Sequence, residues 1–242
     1  METSVKDIDA FKEEVKRTAI NNVINKFPEK VLQLTALLKD ERFKPGFKVA
    51  VDLPLIPVPQ ENVTKAKPTG EVKPKDETTD QSSEDSESVS ATTPMVESNR
   101  DLVEMVAIIE PQMLEFTEYT LSLSAAITLL MPPIEDGNNF GVEIQQECYD
   151  TVLAAENEIN HRMMEISRYF NVRAELVTKA MKHSNCEDYR FAIREKDRMF
   201  HKFLVISMHV IRNHYMNLHD LIVKNMNKIK KPKSSVSKDL LY

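Results

Sequence analysis

The sequence predicts an all-α protein, built as an elongated four-helix bundle. Glycine, which β-rich folds need at their turns and dinucleotide-binding folds need in their phosphate loops, occurs only 4 times in 242 residues. Apolar residues recur three or four positions apart through four long segments, which is the period of an amphipathic helix. Each segment holds roughly 35 to 40 residues and would be ~50 Å long as a helix, too long for a compact globule.

The first predicted helix spans about residues 5 to 40. Its apolar positions are Val5, Ile8, Phe11, Val15, Ala19 and Val23, followed by a second apolar run at 31–38. Pro28 separates the two runs, and it is predicted to kink the helix or to lie in the first turn of a restarted one. Pro54, Pro57 and Pro59 then favour an extended or polyproline II segment. Residues 1–59 therefore form the N-terminal part of the predicted fold.

Residues 60–97 are predicted to form a disordered insert. From Gln60 to Met95 the chain is rich in Ser, Thr, Glu, Asp, Lys and Pro and has almost no large apolar residue. Such a composition cannot bury enough apolar surface to offset the entropy that is lost on ordering.

Residues 98–242 hold the other three helices, whose apolar stripes define the predicted core. The second helix begins near Ser98, which with Asp101 has the spacing of a helix cap, and it ends before Pro132 and Pro133. The stripe positions are Leu102, Met105, Ile109, Met113, Phe116, Leu123, Ile127 and Leu130 in the second helix; Val142, Cys148, Val152, Ala155, Ile159, Met163, Ile166, Phe170, Ala174, Val177 and Met181 in the third; and Tyr189, Ile193, Phe200, Phe203, Ile206, Val210, Leu218, Leu221 and Ile229 in the fourth. These stripes leave more apolar surface than a single four-helix core requires, which favours packing between subunits.

Two further segments have the character of binding elements. The connection IEDGNNFG (134–141) is longer than two neighbouring helices require, and it contains Gly137, Asn138, Asn139 and Gly141, residue types that tolerate positive φ. The chain then ends in a polar tail with the apolar tripeptide 240–242 and a carboxylate, a combination that pockets on other proteins capture. The pattern alone leaves open whether each segment binds a partner or only connects and ends the chain.

Composition argues against several classes of partner and location. The formal net charge of −6 gives no attraction to nucleic acid or to anionic lipid. The most apolar run, 121–131, is about half the ~20 residues that span a bilayer, and the charged N-terminus lacks the apolar core of a signal peptide. Cys148 and Cys186 lack CxxC spacing, as expected of a reduced intracellular protein. The sequence therefore predicts an intracellular protein that binds neither nucleic acid nor a membrane.

The sequence gives no support for an enzyme, a metal site or a cofactor. The glycine-rich signatures of nucleotide binding and the GxSxG of serine hydrolases are absent. Glu158 and His161 have the ExxH spacing of a di-iron helix, but such a site needs a second ExxH, which the chain lacks. The two cysteines have no recognisable base beside them and are expected to be buried thiols.

The connection IEDGNNFGV (Ile134 to Val142) closely resembles the activation loop of the 11S proteasome activators. Colinear matches to the same family are VDLPLIPVP (51–59), ISRYF (166–170), EDYR (187–190), IRNHYMNLHDLIVKNMNKIKKP (211–232) and the terminal Tyr242. The resemblance covers the chain except for residues 60–95, and the third, gamma type of the family is the most similar.

This resemblance implies a subunit of a homo-heptameric ring that docks on the α-subunit ring of the core proteasome and opens its gate without ATP. Peptide cleavage would belong to the proteasome, so the chain itself would not be an enzyme. The activation-loop role would fall on Glu135, Asp136, Gly137, Asn138, Asn139, Phe140 and Gly141, and the docking role on Leu240, Leu241 and Tyr242.

The resemblance also bears on location, in the nucleus, the cytoplasm or both. It favours the nucleus, but the insert reads EDSESVS where the gamma type carries a basic run for nuclear import. The basic segment 224–233 fits either a nuclear localisation signal or the cationic end of a helix. A competing interpretation of the whole chain is a helical oligomeric scaffold or adaptor, in which the disordered insert is the regulatory part.

Overall fold

The computed structural model describes residues 2–44, 47, 96–133 and 139–232, with side chains from residue 5 onward. The helices are Glu2–Asn21 (α1), Phe27–Leu37 (α2), Arg100–Leu130 (α3), Phe140–Lys182 (α4) and Glu187–Lys230 (α5). A π-helical segment, Asn22–Lys26, joins α1 to α2, so the two form one continuous N-terminal helix. The all-α prediction with four long helices is confirmed, and the described ranges contain no strand. Most of the proline-rich segment and of the insert lies outside the described residues.

Pro28 restarts the N-terminal helix without breaking it. It lies in the first turn of α2, where the missing N–H of proline needs no intrahelical acceptor. The preceding backbone widens into the π-helical segment, in which the N–H of Phe27 donates to the carbonyl of Asn22. Val23 inside this segment and Phe27 directly after it are both fully buried. Of the two positions that the sequence predicted for Pro28, a kink or the first turn of a restarted helix, the structure shows the second.

The two longest helices, α4 and α5, run antiparallel along their whole length. Residues 183–186 connect them, and the two helices are in contact from Ala180 and Ile193 near this connection to Gln145 and Ile229 at the opposite end. Near the connection the rings of Tyr169 and Phe200 stack at 3.7 Å between centroids, and farther along the Nε2 of His214 lies 2.9 Å from the carboxylate of Glu158. The start of α4 is therefore next to the end of α5.

The N-terminal helix packs antiparallel to α3 around a cluster of aromatic rings. The ring of Tyr215 from α5 lies between Phe27 and Phe116, at 5.1 and 4.9 Å between centroids, in edge-to-face geometry. Lys30 forms an ion pair with Glu115 on one side of this cluster. In this register the first turns of α1 extend past the end of α3.

Because of this overhang, the core predicted from the sequence is wrong at the start of the chain. Val5, Ile8 and Phe11 are exposed, whereas Ala19 and Val23 of the same stripe are buried. A hydrophobic stripe is buried only where another element lies opposite it, and periodicity alone does not say where the partner helix ends.

The predicted core holds along α3 and shifts on α4 and α5. All the predicted stripe positions of α3 from Leu102 to Ile127 are buried. On α4 the buried residues near the connection are Tyr169, Arg173 and Ala180, and Ala174, a predicted stripe position, is exposed. On α5 the predicted core residue Ile206 is exposed as well. Where a core position holds a polar residue, a pattern that counts only apolar residues does not identify the buried face of the helix.

That polar residue, Arg173, belongs to a buried cluster around Asp197. The carboxylate of Asp197 is 0% exposed, and it accepts hydrogen bonds from the hydroxyl of Tyr169 at 2.8 Å and the Nε of Arg173 at 3.0 Å. The side-chain amide of Asn99 donates to the same carboxylate at 3.2 Å. Asn99 is also the N-cap of α3, since its side chain accepts from the N–H of Leu102. The helix therefore begins one residue later than the Ser98 cap that the sequence predicted.

We expect Arg173→Met to destabilise the bundle by about 3 to 5 kcal/mol, because it leaves the buried carboxylate of Asp197 without its cation. The matched control is Arg198→Met on α5, whose guanidinium pairs with Glu195 at an exposed position, so that solvent replaces it at little cost. Thermal unfolding followed by circular dichroism compares the two variants. Equal shifts of the unfolding midpoint would show that the Asp197 cluster is not a main determinant of stability.

Candidate functional site

The two predicted binding segments leave the same end of the bundle, here named the loop end. At this end α3 finishes at Leu130, α4 begins at Phe140 and α5 finishes at Lys230. Antiparallel packing brings the last turn of α5 beside the first turn of α4. The loop and the tail therefore have adjacent roots, although about ninety residues of sequence separate them.

The loop itself is described only at its C-terminal side. Residues 134–138, which include Glu135, Asp136, Gly137 and Asn138, lie outside the described residues, so their role stays a prediction. Asn139 has φ −99° and ψ −1°, an ordinary right-handed conformation, and its carbonyl accepts from the N–H of Glu143 at 2.9 Å. The expectation of positive φ therefore does not hold at Asn139. The ring of Phe140 is 61% exposed, and the Nζ of Lys228 lies 5.8 Å from its centroid.

Gly141 is required by a close approach between two backbones. It lies buried in the first turn of α4, not in a turn with positive φ as the sequence suggested. A Cβ atom at this position would lie 2.6 Å from the carbonyl carbon of Pro232 and 2.7 Å from its Cα, well inside van der Waals contact. Glycine therefore lets the backbone at the root of the tail rest directly on the first turn of α4.

Gln145 ties the same two roots together by hydrogen bonds. Its side chain is 0% exposed, and its Nε2 donates to the carbonyl of Leu130 at 3.0 Å and to that of Ile229 at 2.7 Å. Both carbonyls lie in the last turn of a helix, where no intrahelical N–H is available to them. One buried amide thus holds the ends of α3 and α5 against the beginning of α4.

Gln145 is not among the predicted core residues, because that prediction depends on apolar residues alone. A signal was present, since position 145 lies three residues before Cys148 and seven before Val152, on the buried face of α4. A polar residue on such a face needs a partner, and the ends of two neighbouring helices are the obvious sources of unpaired carbonyls.

Charged side chains surround the loop end. Lys228 and Lys230 lie in the last turn of α5, where cations interact favourably with the helix dipole. Glu143, Glu147 and Asp150 are exposed on the first turns of α4. The predicted docking residues Leu240, Leu241 and Tyr242 lie outside the described residues, and their role stays a prediction.

Glu158, which has the ExxH spacing of a metal ligand with His161, contacts two other side chains instead. The carboxylate of Glu158 accepts from Arg162 at 2.8 Å and contacts His214 of α5, and the Arg162 hydrogen bond, followed by that of His214, lowers its pKa. His161 is exposed to solvent. Within the described residues, no cluster of three or more His, Cys, Asp or Glu side chains has the arrangement of a metal site.

The cysteines differ from each other in burial. Cys148 is fully buried, as expected, and this burial raises the pKa of its thiol, which disfavours the nucleophilic thiolate. Cys186, which was also expected to be buried, is partly exposed just before α5. In the described part of the chain, no helix has the length and apolar character needed to cross a membrane.

Comparison with known proteins gives a consistent result over both halves of the chain. The family model described as Proteasome activator PA28, N-terminal, matches residues 2–61, and that described as Proteasome activator PA28, C-terminal, matches residues 95–239. Proteasome activator complex subunit 3 of Gallus gallus is 33% identical over 240 residues, covering 96% of this chain and 94% of the relative.

Solved structures agree with these matches. The 11S subunit of the Plasmodium falciparum proteasome, PA28, has a TM-score of 0.73 and 25% identity, covering 97% of this chain and 96% of that one. A chain in the structure of an archaeal 20S proteasome in complex with a mutated P26 activator has a TM-score of 0.66 at 11% identity, covering 100% and 99%, and shows a shared fold. From the matched segments, the near-complete alignment and the helical architecture together, the chain belongs to the proteasome activator PA28 family.

Proposed function

We propose that this chain is an ATP-independent activator of the core proteasome. A ring of the chain docks on the α-subunit ring through Leu240–Tyr242 of each tail, and the loop Glu135–Gly141 opens the gate and stimulates peptide hydrolysis. The proposal rests on one observation: the loop and the tail leave the same end of the bundle, and their roots are in contact at Gly141 and Pro232. A segment that binds and a segment that acts on the gate can then reach the same partner surface.

The geometry of the loop end supports a mechanism based on position. The loop begins at the end of α3 and returns at the start of α4, and these two ends are held to each other and to α5 by Gln145. Loops on such a rigid support are common contact sites, because little entropy is lost when they bind. Opening a gate by contact needs fixed backbone and side-chain positions, and no bond of the gate has to be broken by this chain.

Outward-facing apolar residues support assembly into a ring. On α3, one exposed face holds Val103, Leu114 and Leu121. On α5, exposed apolar residues recur seven positions apart, at Met199 and Ile206 and again at Met216 and Val223. An interface between different faces of two copies is heterologous, and such an interface closes into a ring when its rotation divides a full turn. The number of seven subunits comes from the resemblance to the 11S activators.

A ring explains how short tails can hold a large partner. Seven tails on one ring engage one after another, and after the first contact each further tail binds at a high effective concentration. Each tripeptide therefore needs little affinity of its own.

The central experiment adds the purified chain to purified core proteasome and measures hydrolysis of a fluorogenic peptide without ATP. We expect at least a severalfold increase in rate that saturates with added chain. A scaffold or adaptor would leave the rate unchanged, and that result would refute the proposed function.

Sedimentation tests the assembly separately. We expect a particle with a mass near seven times 27.8 kDa at micromolar concentration, because the exposed stripes on α3 and α5 need a partner surface. A stable monomer at that concentration would contradict the ring.

Loop and tail variants separate opening from binding. Removing residues 240–242 should weaken binding by roughly a hundredfold or more, since every copy loses its anchor, and should leave the ring intact. Asn138→Tyr should retain binding but lower the maximal stimulation almost to the basal rate, because a bulky ring keeps the loop from seating on the gate. A titration of activator against the proteasome measures both quantities. Normal stimulation by Asn138→Tyr would show that the loop is only a connection.

A further inference from the structure

The buried amide of Gln145 lies at the point where the loop and the tail leave the bundle. Its Nε2 joins Leu130, the last residue of α3, to Ile229 in the last turn of α5, at 3.0 and 2.7 Å. The loop begins directly after the first of these helices, and the tail begins directly after the second. A single side chain from α4 therefore contacts the backbone at both exits.

The chemistry of this position requires a neutral donor. The NH₂ group of glutamine offers two hydrogens, one for each carbonyl, whereas a carboxylate would face two acceptors and an apolar side chain would leave both carbonyls unpaired. The Oε1 atom of Gln145 is buried and has no hydrogen-bond partner among the described residues. An apolar side chain would fill the same space without burying an unpaired oxygen. The contribution of the amide is therefore the pair of hydrogen bonds that it donates to the two carbonyls.

Gly141 provides a second, independent link between the same elements. One turn before Gln145, its missing Cβ allows the backbone of Pro232 to lie directly on the first turn of α4. Any methyl group here has to displace backbone atoms of the tail root, because no flexible side chain can move aside instead.

We propose that Gln145, together with Gly141, is a positioning residue that makes the loop root and the tail root one rigid unit. A tail held by the proteasome then fixes the height of the loop above the gate. This inference rests on the proposed function and adds a mechanical coupling to it. Because residues 240–242 are unchanged when the junction is loosened, the coupling affects the maximal stimulation and leaves the affinity nearly constant.

The test compares Gln145→Met and Gly141→Ala with two controls. Gln146→Met changes the neighbouring exposed glutamine, whose Nε2 donates to the carboxylate of Asp150 on the same helix at 2.9 Å. Tyr169→Phe removes a buried hydrogen bond to Asp197 near the opposite end of the bundle. Each variant is first shown to form the ring, and is then titrated against core proteasome with a fluorogenic peptide.

We expect both junction variants to lose about fivefold or more of the maximal stimulation, with a half-saturating concentration within about twofold of that of the unmodified ring. Both controls should match the unmodified ring in both quantities. The Tyr169→Phe control identifies any effect that comes from lower stability alone.

Full stimulation by either junction variant that assembles would overturn the proposal. A higher half-saturating concentration with full maximal stimulation would also overturn it, since the junction would then serve only the tail. An equal loss in Tyr169→Phe would overturn it by showing a general effect of stability. Failure of the unmodified ring to stimulate would instead refute the proposed function.

Discussion

The matched lengths of α4 and α5 determine where the functional segments lie. The helices have 43 and 44 residues, and a connection of residues 183–186 makes them antiparallel. At 1.5 Å per residue, a difference of one heptad would displace the start of α4 from the end of α5 by ~10 Å. The contact of Gly141 with Pro232 and the bond from Gln145 to Ile229 would then be lost. Helix length, which a sequence specifies directly, thus places a loop and a distant tail side by side.

The sequence predicted the regular parts of this arrangement because they depend on one period. The α3 stripe from Leu102 to Ile127 is buried throughout, and the stop before Pro132 and Pro133 is where α3 ends. Both follow from local chemistry, since apolar residues repeat every three or four positions and proline cannot continue a helix. The loop and the tail were found by turn composition and by resemblance, and their tips remain predictions.

The sequence could not predict features that depend on a residue from another helix. The exposure of Val5 and Phe11 depends on where α3 ends, and the burial of Arg173 depends on Asp197, twenty-four residues later. Glu158 and His161 have ExxH spacing on one helix, but the carboxylate of Glu158 contacts His214 of α5, fifty-six residues away. In each case the local pattern is compatible with several environments, and only the antiparallel register selects one.

Buried polar groups find different kinds of hydrogen-bond partner at the two ends of the bundle. Toward the connection of α4 and α5, a buried carboxylate is balanced by a guanidinium, a hydroxyl and an amide around Asp197. At the loop end the unpaired groups are helix carbonyls, so a neutral amide is sufficient and no charge has to be desolvated. The link that Gln145 makes is therefore independent of any protonation step, as a mechanism based on position requires.

The described residues on the two sides of the insert lie far from the loop end. Among the described residues, Phe43 and Asn99 are the buried ones nearest to the insert on each side, and Asn99 contacts Asp197 near the connection of α4 and α5. Between Asn99 and the loop lies the full length of α3, ~45 Å for its 31 residues. The two family models stop at residue 61 and resume at residue 95, so the segment between them is matched by neither model. Since the described flanks of this segment lie at the other end of α3, we expect a change in the length of the insert to leave the matched lengths of α4 and α5 and the junction at Gln145 unchanged.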